Sequence, residues 1–293
     1  MPANRPQKKS SKKSTVARIL AIDIGGTGLK AAIVDVKGHF LTERLRVKTP
    51  RNPVPKNILP ALVELVAPLK NYDHVSIGFP GYVRDGVVFT AANLGTEAWK
   101  GFKLAQAVEK ALGKPTRLNN DADVQGLAVV RGKGLELVCT LGTGFGTSWF
   151  RDGELMPHME LAHMPIHHKD DFDAYIGERE RRKIGDKEWN KRVKRLIPIL
   201  STVMNYDHLY LGGGNSRRIT FKLPKNVSLV SNDAGMEGGA FVWHPKGPPE
   251  ARRSDGQKKC EGPIGPKRCY AGASNFAGRA TSIKTEPDAP STR

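Results

Sequence analysis

A pattern of strand, glycine-rich turn and strand occurs twice in this sequence and constrains the fold more than any other feature. The first copy lies within residues 19–36 and contains IDIGGTGLK; the second lies within residues 136–151 and contains LGTGFGTS. Short β-branched and apolar runs flank each turn, as expected for buried strands. Because the copies start about 115 residues apart, the pattern predicts a duplicated fold with a cleft between two lobes.

The segments between and after the two copies alternate between strand and helix patterns. Such alternation is typical of α/β proteins, in which helices pack on the faces of a sheet. Gly113 follows one helical segment and is expected to be its C-cap. A strand followed by a turn is predicted at 74–81, and strands are predicted at 116–118 and 208–211. Helices are predicted at 57–70, 102–112, 122–131, 186–205 and 234–242.

Phosphate binding is the chemistry that the glycines of both turns favour. Glycine lets a backbone approach phosphate oxygens closely and offers N–H donors to them. Neither turn matches a Rossmann fingerprint, which needs a helix directly after the glycines, or a P-loop, which ends in Gly-Lys-Ser/Thr. A third glycine run follows the strand predicted at 208–211, so a phosphate-binding cleft is favoured over three unrelated hairpins. The residues concerned are Gly25, Gly26, Thr27 and Lys30 in the first turn, Gly142, Thr143 and Gly144 in the second, and then Gly212, Gly213 and Gly214.

Polar residues elsewhere are candidates for catalysis and binding. Asp121 lies in the sequence NNDAD after a predicted strand, where a carboxylate could take a proton from a hydroxyl nucleophile. Asp and Asn are also common helix N-caps, so the residues alone leave both interpretations open. Glu160 and His163 are three residues apart and could bind a pair of sugar hydroxyls or a metal ion. Asp23, before the first turn, could hold a metal ion through water.

Positive charge is concentrated at the two ends of the chain. The 293 residues include 47 Lys and Arg against 29 Asp and Glu, a net charge of +18. Residues 1–18 carry six basic residues and no acid, and residues 246–293 carry ten basic and five acidic residues. Both ends have few large apolar residues, so we expect disordered basic tails at 1–17 and 244–293. Such tails are either simply solvated or a tether for a polyanion.

One internal segment, residues 178–195, is also strongly basic. It has nine basic and four acidic residues, and apolar residues recur at helical spacing from Trp189 to Leu200. We predict an amphipathic helix whose outer face is either a solvated surface or a track for a polyanion such as polyphosphate. The track residues would be Arg181, Arg182, Lys187, Lys191, Arg192, Lys194 and Arg195.

Composition excludes several other classes of protein. An apolar fraction of 39% is enough for a real core, which excludes wholesale disorder. No apolar run approaches the length of a transmembrane helix, and no apolar segment follows the basic N-terminus as in a secretory signal. Three scattered cysteines are too few for a disulfide scaffold or a four-cysteine zinc site, so a reducing cytoplasm is the expected compartment.

The order of the motifs resembles that of the ROK family of sugar kinases, within the actin-like ATPase superfamily, and most closely its polyphosphate glucokinase branch. The resemblance covers about residues 18–243 and implies an α/β, two-lobed actin-like (ribonuclease H-like) ATPase fold. Duplicated mixed sheets, a central cleft and lobes at 18–121 and 122–243 are then expected. Eight segments carry the resemblance in family order: IDIGGTGLK, GFPG, TAANL, LNNDADVQGLA, LGTGFGTS, GELMPHMELAH, LYLGGGNS and SNDAGMEGGA.

The resemblance also implies a role for each matching residue. The two turns would be phosphate loops, with Asp23 part of the first. The third glycine run would border the adenosine or polyphosphate end of the cleft. Asp121 would be the general base on the 6-hydroxyl of glucose. The sugar-binding residues would be Asn93, Asn120, Asp121, Glu160 and His163.

The implied reaction is phosphoryl transfer from polyphosphate or ATP to glucose, with Mg²⁺ near Asp23 as cofactor. A cytoplasmic homodimer with no membrane or specific nucleic-acid partner is expected. Many ROK proteins carry a cysteine-rich zinc motif after the sugar-binding Glu and His, but no cysteine occurs here between Cys139 and Cys260, so no structural zinc is expected. The family's glycine before His163 is Ala162 here, which would shift the sugar contact if that position needs a positive φ.

Other classes of function remain to be weighed. An ATP-dependent ROK hexokinase acting on glucose or mannose is the nearest alternative, and a non-catalytic sugar sensor on the same fold is the next. A ROK repressor would need a helix-turn-helix domain of roughly 60–80 residues before the first phosphate loop, where about 18 residues stand. A pure polyanion- or RNA-binding protein would not explain a carboxylate such as Asp121 placed among two phosphate turns.

Overall fold

The computed structural model describes residues 17–167, 170–231 and 234–243. The tails predicted at 1–17 and 244–293 lie outside these residues, except for residue 17. The elements in chain order are β1 (Ile19–Ile24), β2 (Leu29–Val34), β3 (Leu45–Val47), α1 (Pro55–Val66), β4 (His74–Phe79), β5 (Val83–Arg84), β6 (Val87–Val88), α2 (Thr96–Trp99), α3 (Leu104–Leu112), β7 (Thr116–Asn120), α4 (Asp121–Val129), β8 (Leu135–Leu141), β9 (Phe145–Arg151), β10 (Glu154–Leu155), β11 (Pro165–His167), β12 (Asp170–Asp171), α5 (Phe172–Ile176), α6 (Glu178–Met204), β13 (His208–Gly212), β14 (Val227–Leu229) and α7 (Ala234–Glu237).

Two five-stranded mixed sheets organise the chain, as the repeated pattern predicts. The first sheet has the order β3-β2-β1-β4-β7, and the second has the order β10-β9-β8-β13-β14. In the first, β1 is antiparallel to β2 and parallel to β4; in the second, β8 is antiparallel to β9 and parallel to β13. The two glycine-rich turns therefore occupy equivalent places, each closing the central hairpin of its sheet.

Apolar residues on both faces of each sheet are buried. Ile22 and Ile24 of β1 pack in one core with Ile58 and Leu62 of α1, and Gly113 ends α3 with the left-handed conformation predicted for it (φ 65). In the second sheet, Trp189, Val193, Leu196 and Leu200 of α6 pack in a core with the strands β8 and β13. The apolar spacing that predicts the inner face of this helix is thus confirmed.

The helix predicted without interruption across residues 178–195 is broken at Gly185. There φ is 78° and ψ is 162°, and the helix resumes after it. Glycine adopts this conformation at little cost because it has no Cβ. The basic segment is therefore two helical pieces set at an angle, not one continuous face.

The start of α4 lies where the two sheets meet. A Cβ added to Gly78 of β4 would lie 3.6 Å from Cα of Asp121, and one added to Gly146 of β9 would lie 3.2 Å from Cβ of Ala122. Ser148 Oγ of β9 also donates a hydrogen bond to the carbonyl oxygen of Ala122 at 2.8 Å. Small residues on both sheets thus let α4 begin in the space between them.

The end of the described chain returns to the first sheet. The helix predicted at 234–242 is α7 followed by a 3₁₀ turn at Gly238–Trp243. Met236 and Ala240 pack against Ile19 and Ala21 of β1. The division into lobes at 18–121 and 122–243 stays a prediction. None of the helices in the described part of the chain has the length and apolar character needed to cross a membrane.

Candidate active site

The first glycine-rich turn is short and held by hydrogen bonds at its base. The N–H of Gly25 donates to the carbonyl oxygen of Gly28 at 3.0 Å, and Thr49 Oγ1 donates to the carbonyl oxygen of Gly25 at 2.5 Å. Gly26 and Thr27 at the tip are exposed. A rigid turn with exposed backbone is suited to binding an anion such as phosphate.

A carboxylate and an ammonium group stand beside this turn. Lys30 Nζ lies 2.6 Å from Asp23 Oδ2, because the two residues are direct partners across β1 and β2. Among the described residues, no three His, Cys, Asp or Glu side chains are grouped so that they could hold a metal ion. Mg²⁺ usually needs only one or two carboxylates, since waters and substrate phosphates supply the other oxygens. Asp23 fits that requirement.

The second glycine-rich turn is tied to the protein more extensively. The N–H of Gly142 donates to the carbonyl oxygen of Gly144 at 3.0 Å, and the N–H of Glu178 donates to the carbonyl oxygen of Gly142 at 3.1 Å. Asp173 Oδ1 accepts the N–H of Phe145 at 2.5 Å. A Cβ added to Gly144 would lie only 2.8 Å from the same carboxylate oxygen. A carboxylate therefore lies directly against this turn.

The third glycine run packs behind the second turn. Gly213 has φ 82°, and a Cβ at this position would overlap the backbone of Leu141. The N–H of Asn215 donates to the carbonyl oxygen of Leu141 at 2.9 Å, and its Nδ2 lies 3.3 Å from the carbonyl oxygen of Gly142. The structure thus brings together two of the three predicted glycine segments, Gly142–Gly144 and Gly212–Gly214.

Asn120 is the N-cap of α4. Its Oδ1 accepts the N–H of Ala122 at 2.8 Å, and its Nδ2 donates to the carbonyl oxygen of Gly81 at 3.1 Å. The capping interpretation therefore holds for Asn120. Asp121 Oδ1 also accepts the N–H of Ala122, at 2.9 Å. The sugar contact predicted for Asn120 would have to use the second N–H of its amide.

Asp121, the first residue of α4, is a carboxylate with a strongly perturbed pKa. Burial raises its pKa most, the negative charge of Asp23 adds to this, and the N–H of Ala122 opposes it. Asp123 and Glu160 raise it further, and the resulting pKa is about 7. A carboxyl group that titrates near neutrality is suited to accepting a proton in a reaction at physiological pH.

The segment around Glu160 contains a histidine that the sequence interpretation leaves unassigned. The side chain of His158 is only 7% exposed, with Nδ1 3.1 Å from Asp123 Oδ1 and Nε2 3.4 Å from Glu160 Oε1. Burial lowers the pKa of His158, but attraction to both carboxylates outweighs it and raises the pKa to about 10. His158 is therefore a buried cation between two carboxylates.

The remaining predicted sugar-binding residues are more exposed. His163 is 54% exposed, and its Nδ1 lies 3.4 Å from Asp171 Oδ2. Asn93 is exposed and adjoins the first turn, since a Cβ added to Gly26 would lie 3.5 Å from Cβ of Asn93. Ala162 lies in a 3₁₀ turn, and it is not among the residues with positive φ. Alanine in place of the family's glycine therefore causes no backbone strain at this position.

Several of the cations predicted as a polyanion track are ion-paired within or next to α6. Arg181 is buried and pairs with Glu178 and Asp186. Its hydrogen bond to Glu178 is the main reason that the pKa of Glu178 is lowered to about 2. Pairs with acids of the same helix also involve Arg182 (Glu178, 2.7 Å), Lys191 (Glu188, 2.9 Å) and Arg192 (Glu180, 3.2 Å). Within the described residues, Lys187, Lys194 and Arg195 have no such pair. The track stays a prediction.

Two mixed sheets with equivalent glycine-rich turns, and a carboxylate between them, define the class of two-lobed actin-like phosphotransferase folds. The chain belongs to the ROK family, since the model of that family matches residues 19–172. Polyphosphate glucokinase of Mycobacterium tuberculosis (strain ATCC 25618 / H37Rv) is 29% identical over 259 residues, 83% of this chain and 97% of that protein.

Solved structures agree with this assignment. The inorganic polyphosphate/ATP-glucomannokinase from Arthrobacter sp. strain KM is 32% identical, with a TM-score of 0.72, covering 78% of this chain and 99% of that one. A ROK family glucokinase from Streptomyces griseus, solved with glucose and AMPPNP, has a TM-score of 0.63 at 20% identity and covers 77% and 99% of the two chains. The second likeness establishes the fold alone.

Proposed function

We propose that this chain is a kinase that transfers a phosphoryl group from inorganic polyphosphate, or from ATP, to the 6-hydroxyl of glucose. The observation that carries the proposal is Asp121, a carboxylate with a pKa of about 7 where the two sheets meet. The relative from M. tuberculosis supports glucose as the acceptor and polyphosphate as a donor by its name. The Arthrobacter enzyme, by its name, supports the use of both donors.

In the proposed reaction, Asp121 takes the proton of the sugar 6-hydroxyl while the hydroxyl oxygen attacks the terminal phosphorus of the donor. The bond between that phosphorus and its bridging oxygen breaks, and the shortened polyphosphate, or ADP, leaves with the bonding electrons. A base with a pKa near the working pH is about half ionised and can both accept and release a proton. Removal of a general base typically costs about 10²- to 10⁴-fold in rate.

The glycine segments would bind the phosphoryl donor. The exposed backbone of Gly26 and Thr27 and the N–H groups of the second turn would stabilise charge on the transferring group. Gly212–Gly214 would border the rest of the donor. Asp23 would hold Mg²⁺ through water, and the bound ion would neutralise charge on the donor phosphates. Closure around the sugar would exclude water, because water would otherwise hydrolyse the donor.

Sugar binding falls to residues on both sides of Asp121. Asn93, in the loop before α2, and Asn120, at the end of β7, would contact the sugar from the side of the first sheet. Glu160 and His163 would contact it from the segment after β10. Mannose is a second candidate acceptor, favoured by the name of the Arthrobacter enzyme. It differs from glucose at the 2-hydroxyl, so Glu160 and His163 would decide between the two sugars.

Assembly and location form a further part of the proposal. We expect a homodimer located in the cytoplasm, from the ROK resemblance and the low cysteine count. Sedimentation of the purified chain would measure its mass in solution. A mass of one chain at all concentrations would contradict the dimer.

The test is formation of glucose 6-phosphate by the purified full chain with Mg²⁺ and either long-chain polyphosphate or ATP. Asp121→Asn should lower kcat by about 10²- to 10⁴-fold with both donors. Asp152→Asn is the matched control, because Asp152 lies in the exposed turn after β9 with φ 50°, a conformation that Asn tolerates.

Three results would count against the proposal. Full activity of Asp121→Asn would show that Asp121 is not the general base. Turnover with ATP alone would remove polyphosphate as donor and leave the hexokinase alternative. No turnover with either donor and either sugar, combined with a glucose-dependent rise in Tm, would favour the non-catalytic sugar sensor.

A further inference from the structure

The edge of the first sheet carries a basic strip next to the first glycine-rich turn. Residues 44–51 include four basic residues and no acid. Arg44 lies over the ring of Phe40, 5.6 Å from its centroid, and so is engaged elsewhere. We define the β3 strip as the two exposed residues Arg46 and Lys48, neither of which has an ion pair with any residue in the described ranges.

The sheet register places Arg46 in line with the predicted phosphate loop. Asp23 of β1 pairs with Lys30 of β2, and Lys30 pairs with Arg46 of β3. Residues paired across a sheet project from the same face, so the three side chains form one row. A Cβ added to Gly28 would lie 2.9 Å from Arg46 Nε and 3.3 Å from its Nη2. The guanidinium group therefore lies directly against the first turn.

Lys48 is held beside the same turn by its neighbours. Val47 pairs with Leu29, the first residue after the turn. Thr49 donates to the carbonyl oxygen of Gly25 at 2.5 Å. The backbone of Lys48 is thus fixed between two contacts with the turn, and its exposed ammonium group is available to an anion bound there.

The β3 strip differs from the basic surface of α6 in what its cations already do. Four of the seven α6 residues predicted as a track pair with acids of the same segment. A polyanion would have to compete with those carboxylates, or be repelled by them. Arg46 and Lys48 have no carboxylate partner among the described residues, so a polyanion would not have to compete with one.

We propose that the β3 strip is a subsite for linear inorganic polyphosphate, and that it binds the phosphates beyond the one being transferred. The inference rests on the proposed function and deepens it. A long polyanion gains from several cations in a row, and exposed charges act over about 10 Å at 0.1 M salt. ATP carries only three phosphates, and its nucleoside would lie toward Gly212–Gly214 of the second sheet. We therefore expect the strip to contribute more to the binding of polyphosphate than to the binding of ATP.

The experiment compares three double variants that each lose two positive charges: R46Q/K48Q in the strip, K194Q/R195Q on α6, and K103Q/K110Q at α3, far in sequence from either surface. The readout is the ratio of kcat/KM for long-chain polyphosphate to kcat/KM for ATP. R46Q/K48Q should lower this ratio about tenfold or more, the loss expected when charge-assisted hydrogen bonds are removed. The other two variants should change it less than about twofold.

Chain length and salt sharpen the result. Tripolyphosphate is too short to leave many phosphates beyond the transferred one, so R46Q/K48Q should affect it less than long-chain polyphosphate. The wild-type KM for long chains should rise with salt more steeply than that of R46Q/K48Q, because fewer exposed charge contacts remain in the variant.

Two outcomes would overturn the inference. One is an unchanged ratio in R46Q/K48Q, and the other is an equal or larger fall in K194Q/R195Q or in K103Q/K110Q. Failure of the proposed function is a separate result, since the wild type would then turn over neither donor. In that case, equilibrium binding of fluorescently labelled long-chain polyphosphate to the same variants still decides whether the strip binds it.

Discussion

The two glycine-rich turns occupy equivalent places in their sheets, yet the charges beside them differ. The first turn has the guanidinium group of Arg46 next to it, together with Lys30, which is paired with Asp23. The second has the carboxylate of Asp173 against Gly144 and the start of α6, with Glu178, against Gly142. Duplication thus supplies the same backbone twice, and the side chains around it make the two copies different.

This difference implies a division of labour. A cationic turn with an exposed tip attracts a polyanionic donor, whereas a turn whose carbonyl groups accept from a helix start is fixed in place by the protein. Carboxylates also surround Asp121, where the charges of Asp23, Asp123 and Glu160 all raise its pKa. We therefore expect the first turn, through Arg46, to attract the donor, and the surroundings of Asp121 to hold a proton near neutrality.

The largest expected effect comes from the fixed turn. Gly213→Ala should lower the free energy of unfolding by about 3 kcal/mol or more, because φ is 82° there and the new Cβ would overlap the Leu141 backbone. Gly142→Ala is the matched control within the same region, since no atom lies within 4 Å of its added Cβ. Urea unfolding measures both. Equal stability of the two variants would contradict the close packing of Gly213 against the backbone of Leu141.

The pH dependence of catalysis tests the acidic side. A base must be ionised to accept a proton, so kcat/KM for glucose should rise with pH up to about 7, the pKa of Asp121. It should fall about tenfold per pH unit below that value. Asp23→Asn should move this limb to lower pH, because the charge of Asp23 raises the pKa of Asp121. A limb near pH 4 would show that Asp121 is not perturbed.

The same shift has a consequence for stability. The folded-state pKa of Asp121 is raised, so between about pH 4 and 7 the native state holds a proton that the unfolded state has released. The contribution of this group to stability therefore falls as pH rises through that window. Asp121→Asn should remove this component from the pH dependence of Tm.

His158 tests whether the carboxylate side needs a cation to remain ordered. His158→Asn removes the charge between Asp123 and Glu160, so the carboxylate of Glu160, which we propose contacts the sugar, should lose its position. We expect the KM for glucose to rise about tenfold, the value of one charge-assisted interaction, with a smaller change in kcat. His39→Asn is the control, because His39 makes a similar 3.1 Å pair with Asp35 but is 72% exposed.

The His158 pair also predicts how its own contribution varies with pH. A histidine whose folded-state pKa is raised stabilises the fold fully below its unfolded value of about 6.5. That stabilisation is lost as pH rises through about 10, the folded-state pKa. The difference in Tm between wild type and His158→Asn should therefore shrink over this range. A constant difference would indicate a packing role only.

Local sequence patterns predict the parts of this fold that depend on neighbouring residues. The two hairpins, the C-cap at Gly113 and the buried stripe from Trp189 to Leu200 are all confirmed. The amphipathic helix predicted over 178–195 is broken at Gly185, and a glycine inside a helical pattern is a known signal of such a break. The ion pairs on α6 also had a visible signal, since acids and bases three or four residues apart face each other on a helix.

Contacts between distant residues could not be predicted in this way. His158 meets Asp123, which is 35 residues earlier in the chain, and no spacing rule connects them. The position of Arg46 against Gly28 depends on the register of β3, a strand of three residues that the pattern leaves out. Both features change the charge of the site without altering any motif that the sequence displays.

The smallest expected effect tests the charge comparison in both directions. Asp173→Asn removes negative charge beside the second turn but keeps an oxygen to accept the N–H of Phe145. The KM for polyphosphate should therefore fall, by about two- to threefold for one partly buried charge that the donor does not contact directly, whereas Arg46→Gln should raise it. Phosphoryl-transfer assays at low and high salt measure both, and the two shifts should shrink together as salt increases. If both substitutions shifted the KM for polyphosphate in the same direction, they would be acting through local packing and not through the charge that the donor meets. The two turns would then not differ in their electrostatic effect on the donor.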